Sequence, residues 1–221
     1  MTKRGCLIFG LSCYSQMMRY NVEKYSGMRV SAYVVDAAFR KMESFDGLPV
    51  VCFETCPELF PQDEYVMMIC LGYKGMNKPR YMKTRQAVEM GYEIQGFIHP
   101  TAFIADNVSL GQGNIVMENA VISFGVQMGD GNIVWNGCNI SHGCEIGDFN
   151  YFSPGTTLGG KVKCGSFCFA GLNSTIRSAR SIADKTLIGA SAYINNDTIA
   201  DGVYVPVRTL SLENKKSSDF Y

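Results

Sequence analysis

The stretch that decides the fold runs from Asn139 to Cys164 and reads NISHGCEIGDFNYFSPGTTLGGKVKC. Within it Ile140, Ile146, Phe152, Leu158 and Cys164 recur at every sixth residue. The phase extends back through Val134, Met128, Ile122, Val116 and Leu110 to Ile104, and forward through Ala170, Ile176, Ile182 and Ile188 to Ile194. The residue four places further on is usually small or β-branched, as at Ala120, Val126, Cys138, Cys144, Thr156, Val162 and Cys168. Asn114, Asn132, Asn150 and Arg180 are exceptions. Glycine often follows the apolar position directly, as at Gly111, Gly129, Gly147, Gly159, Gly165, Gly171 and Gly189.

A strict six-residue period describes a solenoid. Each hexapeptide supplies one short strand and one turn, and three of them close a triangular coil of 18 residues. The large side chain points inward and stacks on its counterpart in the next coil, about 4.8 Å away. Glycine and asparagine are expected to supply the unusual backbone angles of the corners. Residues 104 to about 199 therefore form an all-β parallel β-helix of somewhat more than five coils. The period does not set its hand.

Residues 1–98 follow a different grammar. Apolar runs at Gly5–Phe9, Arg29–Val35, Tyr65–Leu71 and Glu93–Ile98 read as strands. Ser15–Tyr25 and Pro79–Met90 read as helices. Strands alternating with helices predict a small Rossmann-like α/β domain over 1–98. The solenoid domain follows over 99–206, and a polar tail over 207–221. In such sheets ligands bind beyond the carboxyl ends of the strands. That groups Gly10, Ser12, Asp36, Gly72 and Tyr73 around one crevice. The G-x-G-x-x-G fingerprint is absent, since Gly10 is the sole glycine of its turn. Backbone amides and Ser12 at the following helix suit a phosphate, and Asp36 suits a ribose or a uracil or thymine edge. Equally open is that Gly10 only makes a tight turn and Asp36 only caps a helix.

The chain has two histidines. His142 lies two residues after the inward Ile140, hence outward near a corner, and Gly160 follows 18 residues later. Gly160 should therefore stack one coil above His142, setting a base beside an exposed backbone N–H. That is a plausible acyl-transfer pair; the alternative is a lone surface histidine. His99, before Pro100, reads as structural. Trp135 and Phe124 sit at outward phases, and line either a substrate cleft or a subunit interface. Packing against another subunit is the safer reading, because bare strand faces need cover.

Composition narrows the rest. Twenty basic and 20 acidic residues leave no net charge and no basic stripe, so no nucleic-acid partner is expected. The longest apolar stretches, such as Tyr65–Leu71, are too short for a bilayer, and no signal peptide is read. The nine cysteines match no zinc spacing; no metal is expected, and free thiols suggest a reducing cytoplasm.

Taken together, the strand–turn at Leu7–Ser12, Asp36, Ile98-His99-Pro100-Thr101-Ala102, Ser141-His142 with Cys144-Glu145-Ile146-Gly147, and Cys168 to Ser174 resemble the bacterial sugar acyltransferases of the sialic acid O-acetyltransferase type. Nucleotide-linked amino-sugar N-acetyltransferases are a branch of that group. The resemblance covers nearly the whole chain and implies a left-handed β-helix assembled as a homotrimer. It implies an acetyl-CoA-dependent N-acetyltransferase, acting on a dTDP- or UDP-linked 4-amino-4,6-dideoxy sugar for a surface polysaccharide or other glycan. His142 would be the general base, and the Gly160 N–H would hold the thioester carbonyl. Gly171, Leu172, Gly189 and Ala190 would line acetyl-CoA between two subunits, with Arg208 near its phosphates. Gly10, Ser12, Asp36, Gly72, Tyr73, Asn77 and Arg80 would take the sugar nucleotide, Arg80 at its diphosphate. The chain departs from the group at three places: the turn is Gly10-Leu11-Ser12-Cys13-Tyr14, Gly143 replaces the acidic residue after the histidine, and Tyr151 replaces a second histidine. O-acetylation of a sugar hydroxyl is the nearest rival activity, and a non-catalytic trimeric scaffold is the rival of another class. The γ-class carbonic anhydrases share the solenoid but need three histidines on zinc, which this chain lacks.

Overall fold

The computed structural model describes residues 5–207, 216 and 218. Arg208 and nearly all of the tail lie outside the described residues. The N-terminal sheet contains β1 (Gly5–Phe9), β2 (Val30–Val35), β3 (Ser44–Phe45), β4 (Leu48–Cys52) and β5 (Tyr65–Ile69), in the order β3-β4-β2-β1-β5. All pairings are parallel except the β3–β4 hairpin. The apolar run of β1 is explained by burial on both faces. Cys6 and Ile8 pack toward helix α1 (Cys13–Asn21) and the solenoid, while Leu7 and Phe9 pack toward the short helix α2 (Cys56–Leu59) and α3 (Lys78–Glu89). The chain leaves β1 in one direction for β2 and β4, and returns to its other side with β5. The sheet thus has a switch point between β1 and β5, where the carboxyl ends open a crevice.

Two local readings change. The β3–β4 hairpin was not anticipated, although Asp46-Gly47 between Phe45 and Leu48 carries its signal; both residues have positive φ, 50° and 74°, as a tight hairpin turn requires. The expected strand over Glu93–Ile98 splits. Ile94 bridges to Met67 of the N-terminal sheet, whereas Phe97–Ile98 pairs with Ile115–Val116 and opens the solenoid. The solenoid therefore begins before the expected 98/99 boundary.

The solenoid stacks three parallel sheets, and they fit a left-handed β-helix. Face one runs from Phe103–Ile104 to Tyr193–Ile194, face two from Ser109–Leu110 to Ser181–Ile182, and face three from Phe97–Ile98 to Val203–Tyr204. Each strand pairs with the strand 18 residues on, as Ile122 with Ile140 and Ile140 with Leu158. The inward positions form one continuous core. Only the last coil breaks the register: Tyr204 stands opposite Ile188, 16 residues on.

The outward rows differ in character, and this positions the two parts. Face two presents Ser109, Gln127, Glu145, Lys163 and Ser181, with Glu145 and Lys163 paired at 3.1 Å. Face three presents Phe97, Ile115, Ile133 and Tyr151, all buried against β1, β2 and α1 in a shared cluster. The α/β domain thus sits on the apolar face.

The corners correct the role given to glycine. Positive φ falls three residues after the inward position, and often not on glycine: Phe149 (53°), Lys161 (59°), Phe167 (61°), Ala179 (56°) and Lys185 (56°) adopt it. The glycines directly after the inward position serve close approach instead. A Cβ on Gly171 would lie 2.5 Å from the Ala190 nitrogen, and one on Gly147 2.8 Å from the Gly165 oxygen.

The asparagines that interrupt the small-residue phase form a ladder. Asn114 Oδ1 accepts from the Asn132 N–H (2.7 Å), Asn132 Oδ1 from the Asn150 N–H (2.9 Å), and Asn150 Oδ1 from the Cys168 N–H (2.8 Å). Their amide groups donate to corner carbonyls such as Gly129 and Gly165. Each asparagine does for a buried corner what no apolar side chain can. Asn132→Ala removes one rung, orphans the buried Asn150 N–H, and is expected to cost about 3 kcal/mol in urea denaturation. Asn107→Ala, at an exposed corner, should cost well under half of that.

Candidate functional site

The corner between faces one and two carries His142. The local sequence places it there because Ile140 is inward and Gly143 turns the chain at φ 65°. His142 is exposed, and its imidazole lies against Gly160 of the next coil. A Cβ built on Gly160 would lie 2.5 Å from His142 Cε1 and 2.6 Å from Nε2, so no other residue leaves the ring in place. The two are tied by the backbone as well, since the Lys161 N–H donates to the His142 carbonyl at 2.9 Å. The stacking expected from the 18-residue spacing is present.

The Gly160 N–H donates to no acceptor among the described residues. Four of the corresponding N–H groups at the corner between faces two and three are engaged. Gln112 donates to Asp130 Oδ1 (2.7 Å), Asp130 to Asp148 Oδ1 (2.8 Å), Asp148 to Ser166 Oγ (2.9 Å) and Ser166 to Asp184 Oδ1 (2.7 Å). Reading the sequence missed this second ladder, although its residues recur at 18-residue spacing. At the His142 corner the side chains in that column are Phe124, His142, Gly160 and Ser178, and no such capping bond forms. A free amide beside an imidazole can donate to a developing oxyanion while the ring takes a proton.

Gly171, Leu172, Gly189 and Ala190 come together at another corner, between faces three and one. Gly171 and Ala190 are in close contact, and Leu172 and Ala190 are exposed. The crevice of the α/β domain opens over face three, which is the side of the triangle opposite the His142 corner. One chain therefore does not bring these three groups together.

Within the crevice the expected residues divide. Gly10 has φ 123°, and its Cβ would meet the Cys70 oxygen at 2.8 Å, so the turn after β1 requires glycine. Ser12 caps α1 in a reciprocal capping box with Ser15. Gly72 and Tyr73 lie at the exposed end of β5, with the Tyr73 ring on Phe169 (4.5 Å) and Tyr151 (5.1 Å). Asp36 makes no helix cap; its carboxylate pairs with Lys83, whose ammonium is buried over the rings of Phe53 and Phe9.

Asn77 and Arg80 stand elsewhere than expected. Asn77 is fully buried and donates to the Cys168 carbonyl at 3.1 Å. Arg80 is 3% exposed and donates to Asn77 Oδ1 and to the carbonyls of Gly131, Phe149 and Asn150. Burial pulls its guanidinium down to about 10. These contacts replace the diphosphate role: the pair is a strut that pins α3 to the solenoid. The physical reason is the corner between faces two and three, whose carbonyls face α3 and need donors.

Trp135 packs within the chain, its ring 5.5 Å from Tyr14 of α1. Phe124 is 70% exposed beside His142. His99 is structural, as expected: its Nδ1 accepts from the Thr101 N–H at 3.2 Å, and its ring meets Tyr25 at 4.6 Å.

No family model matches the chain. Solved structures do. The acetyltransferase domain of PglB from Neisseria gonorrhoeae, in complex with acetyl coenzyme A, superposes with TM-score 0.80 at 25% identity, over 92% of this chain and 97% of that one. PerB from Caulobacter crescentus, in complex with CoA and GDP-perosamine, gives 0.82 at 24% identity over 91% and 94%. WeeI from Acinetobacter baumannii gives 0.80 at 16% identity over 92% and 97%. The chain shares their fold. The likeness spans the α/β domain and the solenoid together, so both belong to one architecture.

Gly160→Ala is the most direct test of the corner. The added methyl must push the imidazole aside, and turnover in the assay described below should fall about 100-fold. The urea midpoint should move little, because Gly160 has negative φ and borders an exposed ring.

Proposed function

We propose that the protein is an acetyl-CoA-dependent N-acetyltransferase that acts on the amino group of a nucleotide-linked 4-amino-4,6-dideoxy sugar. The observation that carries this reading is the open Gly160 N–H beside His142, where the other ladder corner is capped. The shared fold supports it, since the PglB domain is an acetyltransferase and the Caulobacter protein was captured with CoA and GDP-perosamine.

In this reading His142 accepts a proton from the sugar amine as its nitrogen attacks the thioester carbonyl. The Gly160 N–H stabilises the tetrahedral oxyanion. The C–S bond then breaks, and the CoA thiolate takes the proton from the imidazolium. General-base help of this kind contributes about 10² to 10⁴-fold, and one oxyanion donor about 3 kcal/mol. No step calls for a metal. Gly171, Leu172, Gly189 and Ala190 would guide acetyl-CoA, and Gly10, Ser12, Asp36, Gly72 and Tyr73 would bound the Rossmann-like nucleotide crevice. Free amides at the start of α1 suit the diphosphate better than the spent Arg80.

The separation of the three groups within one chain supports a homotrimer. The His142 corner of one copy would face the Gly171–Ala190 corner and the crevice of its neighbour. Exposed Phe103, Phe124, Leu172 and Tyr193 would then find cover.

The experiment is thiol release from acetyl-CoA with UDP-, dTDP- and GDP-linked 4-amino-4,6-dideoxyhexoses, beside free sialic acid. One of the amino sugars is expected to support turnover. His142→Asn should lower kcat by about 10² to 10⁴-fold with the assembly unchanged. Full turnover by that variant, or activity on the sialic acid hydroxyl alone, would overturn the proposal.

A further inference from the structure

The floor of the crevice is aromatic, and it belongs to the solenoid. The first turn of α1 brings Tyr14, and the loop after β5 brings Tyr73. Between them face three raises Trp135 and Tyr151. The rings form an unbroken arc: Tyr14 to Trp135 is 5.5 Å, Trp135 to Tyr151 is 6.2 Å, and Tyr151 to Tyr73 is 5.1 Å. Tyr73 stays about half exposed, Tyr14 and Trp135 are partly exposed, and Tyr151 is buried. Two polar atoms in this arc, Tyr14 Oη and Trp135 Nε1, are shielded from solvent and have no hydrogen-bond partner among the described residues. No carboxylate or ammonium belongs to the arc.

A surface of ring faces edged by neutral donors has a definite chemistry. The rings accept the C–H face of a pyranose, and the N–H and O–H groups suit its oxygen atoms. A nucleobase also stacks on tyrosine, so position must decide between them. Asp36, at the end of β2, lies on the side of the crevice away from β5, and the α1 N-terminus lies between. The aromatic arc alone is built on the solenoid, the part of the chain that carries the reactive corner. A sugar nucleotide running from Asp36 past α1 ends with its sugar on the arc.

We infer that Tyr14, Trp135, Tyr151 and Tyr73 form the acceptor-sugar subsite and that Tyr73, its most exposed ring, is a specificity-determining residue within it. This rests on the sugar-nucleotide reading above and adds the surface that holds the sugar. Its consequence is that nucleotide and sugar report separately. Tyr73 touches the sugar and Tyr151 backs it, while the base and the diphosphate are held elsewhere.

Trp135 is the chain's single tryptophan, so its emission reports this floor alone. The test is a fluorescence titration with UDP, dTDP and GDP, and with the same three nucleotides linked to 4-amino-4,6-dideoxyhexose, run beside the thiol-release assay. The sugar nucleotide that is turned over should shift or quench Trp135 emission, and its matching free diphosphate should leave it nearly unchanged. Tyr73→Ala should raise KM for that sugar nucleotide about tenfold, the value of one ring contact, with KM for acetyl-CoA held within about twofold. The more conservative Tyr73→Phe keeps the ring and should recover most of the loss. Unchanged emission on saturation with a sugar nucleotide that is turned over would overturn the subsite, as would equal responses to the free diphosphate. Emission changes specific to a sugar nucleotide without thiol release would support the subsite and sink the transfer reaction instead. No response in either assay would overturn both.

Discussion

Adjacent coils of the solenoid are joined by parallel backbone hydrogen bonds that pair residues 18 apart, and every other feature of the molecule depends on that register. A fixed register converts sequence spacing into distance. It stacks the inward aliphatic side chains and makes the Asn114–Asn132–Asn150 ladder possible. It also lays His142 against Gly160. A one-residue slip in any coil would turn its inward side chain out, and would separate His142 from Gly160 in the same step. Stability and the reactive corner therefore rest on one constraint.

The three faces show how one repeat yields three environments. The inward rows are alike, so the fold tolerates any outward row. Face two has polar residues and is left uncovered by the α/β domain. Face three has Phe97, Ile115, Ile133 and Tyr151 and carries the α/β domain. Apolar burial alone would let that domain slide along the face. Asn77 and Arg80 set its position, because their donors must meet the carbonyls of Cys168, Gly131, Phe149 and Asn150. A guanidinium this buried is costly unless it is bonded, which makes the strut selective for one docking geometry.

Much of this was legible in the sequence because the period is local and repeated. The repeat, its phase, the His142–Gly160 stack and most strands of the first domain follow from residue spacing. What was not legible depended on tertiary contacts. Arg80 reads as a phosphate ligand from its place after a strand, and only the carbonyls of another domain reveal its use. Asp36 reads as a base or ribose acceptor, but Lys83, placed 47 residues on, claims one of its oxygens. The glycine pattern was misread for a different reason. Glycine can mark positive φ or close approach, and here the two roles occupy different positions of the repeat: Gly143 turns the corner, while Gly171 lets the next coil approach. The Asp130–Asp148–Ser166–Asp184 ladder needed only the 18-residue comparison already in use, applied to polar residues as well as apolar ones.

The contrast between the corners explains why reactivity is confined to one of them. A solenoid corner exposes an N–H in every coil, and an unbonded N–H is a liability when buried and a resource when a substrate reaches it. At the corner between faces two and three, side chains of the following coil cap these groups and render the corner inert. At the His142 corner no side chain of the following coil caps the column, and the Gly160 amide stays unbonded beside the imidazole. Gly143 matters here in the same way. An acidic side chain at that position would give the imidazole an orienting partner, whereas the ring is instead held by contact with Gly160 and by the backbone tie from Lys161 to His142. Orientation by steric fit is more easily lost than orientation by a hydrogen bond, so the corner should be unusually sensitive to added volume at position 160 and comparatively tolerant of change at 143, where only the positive φ constrains the residue.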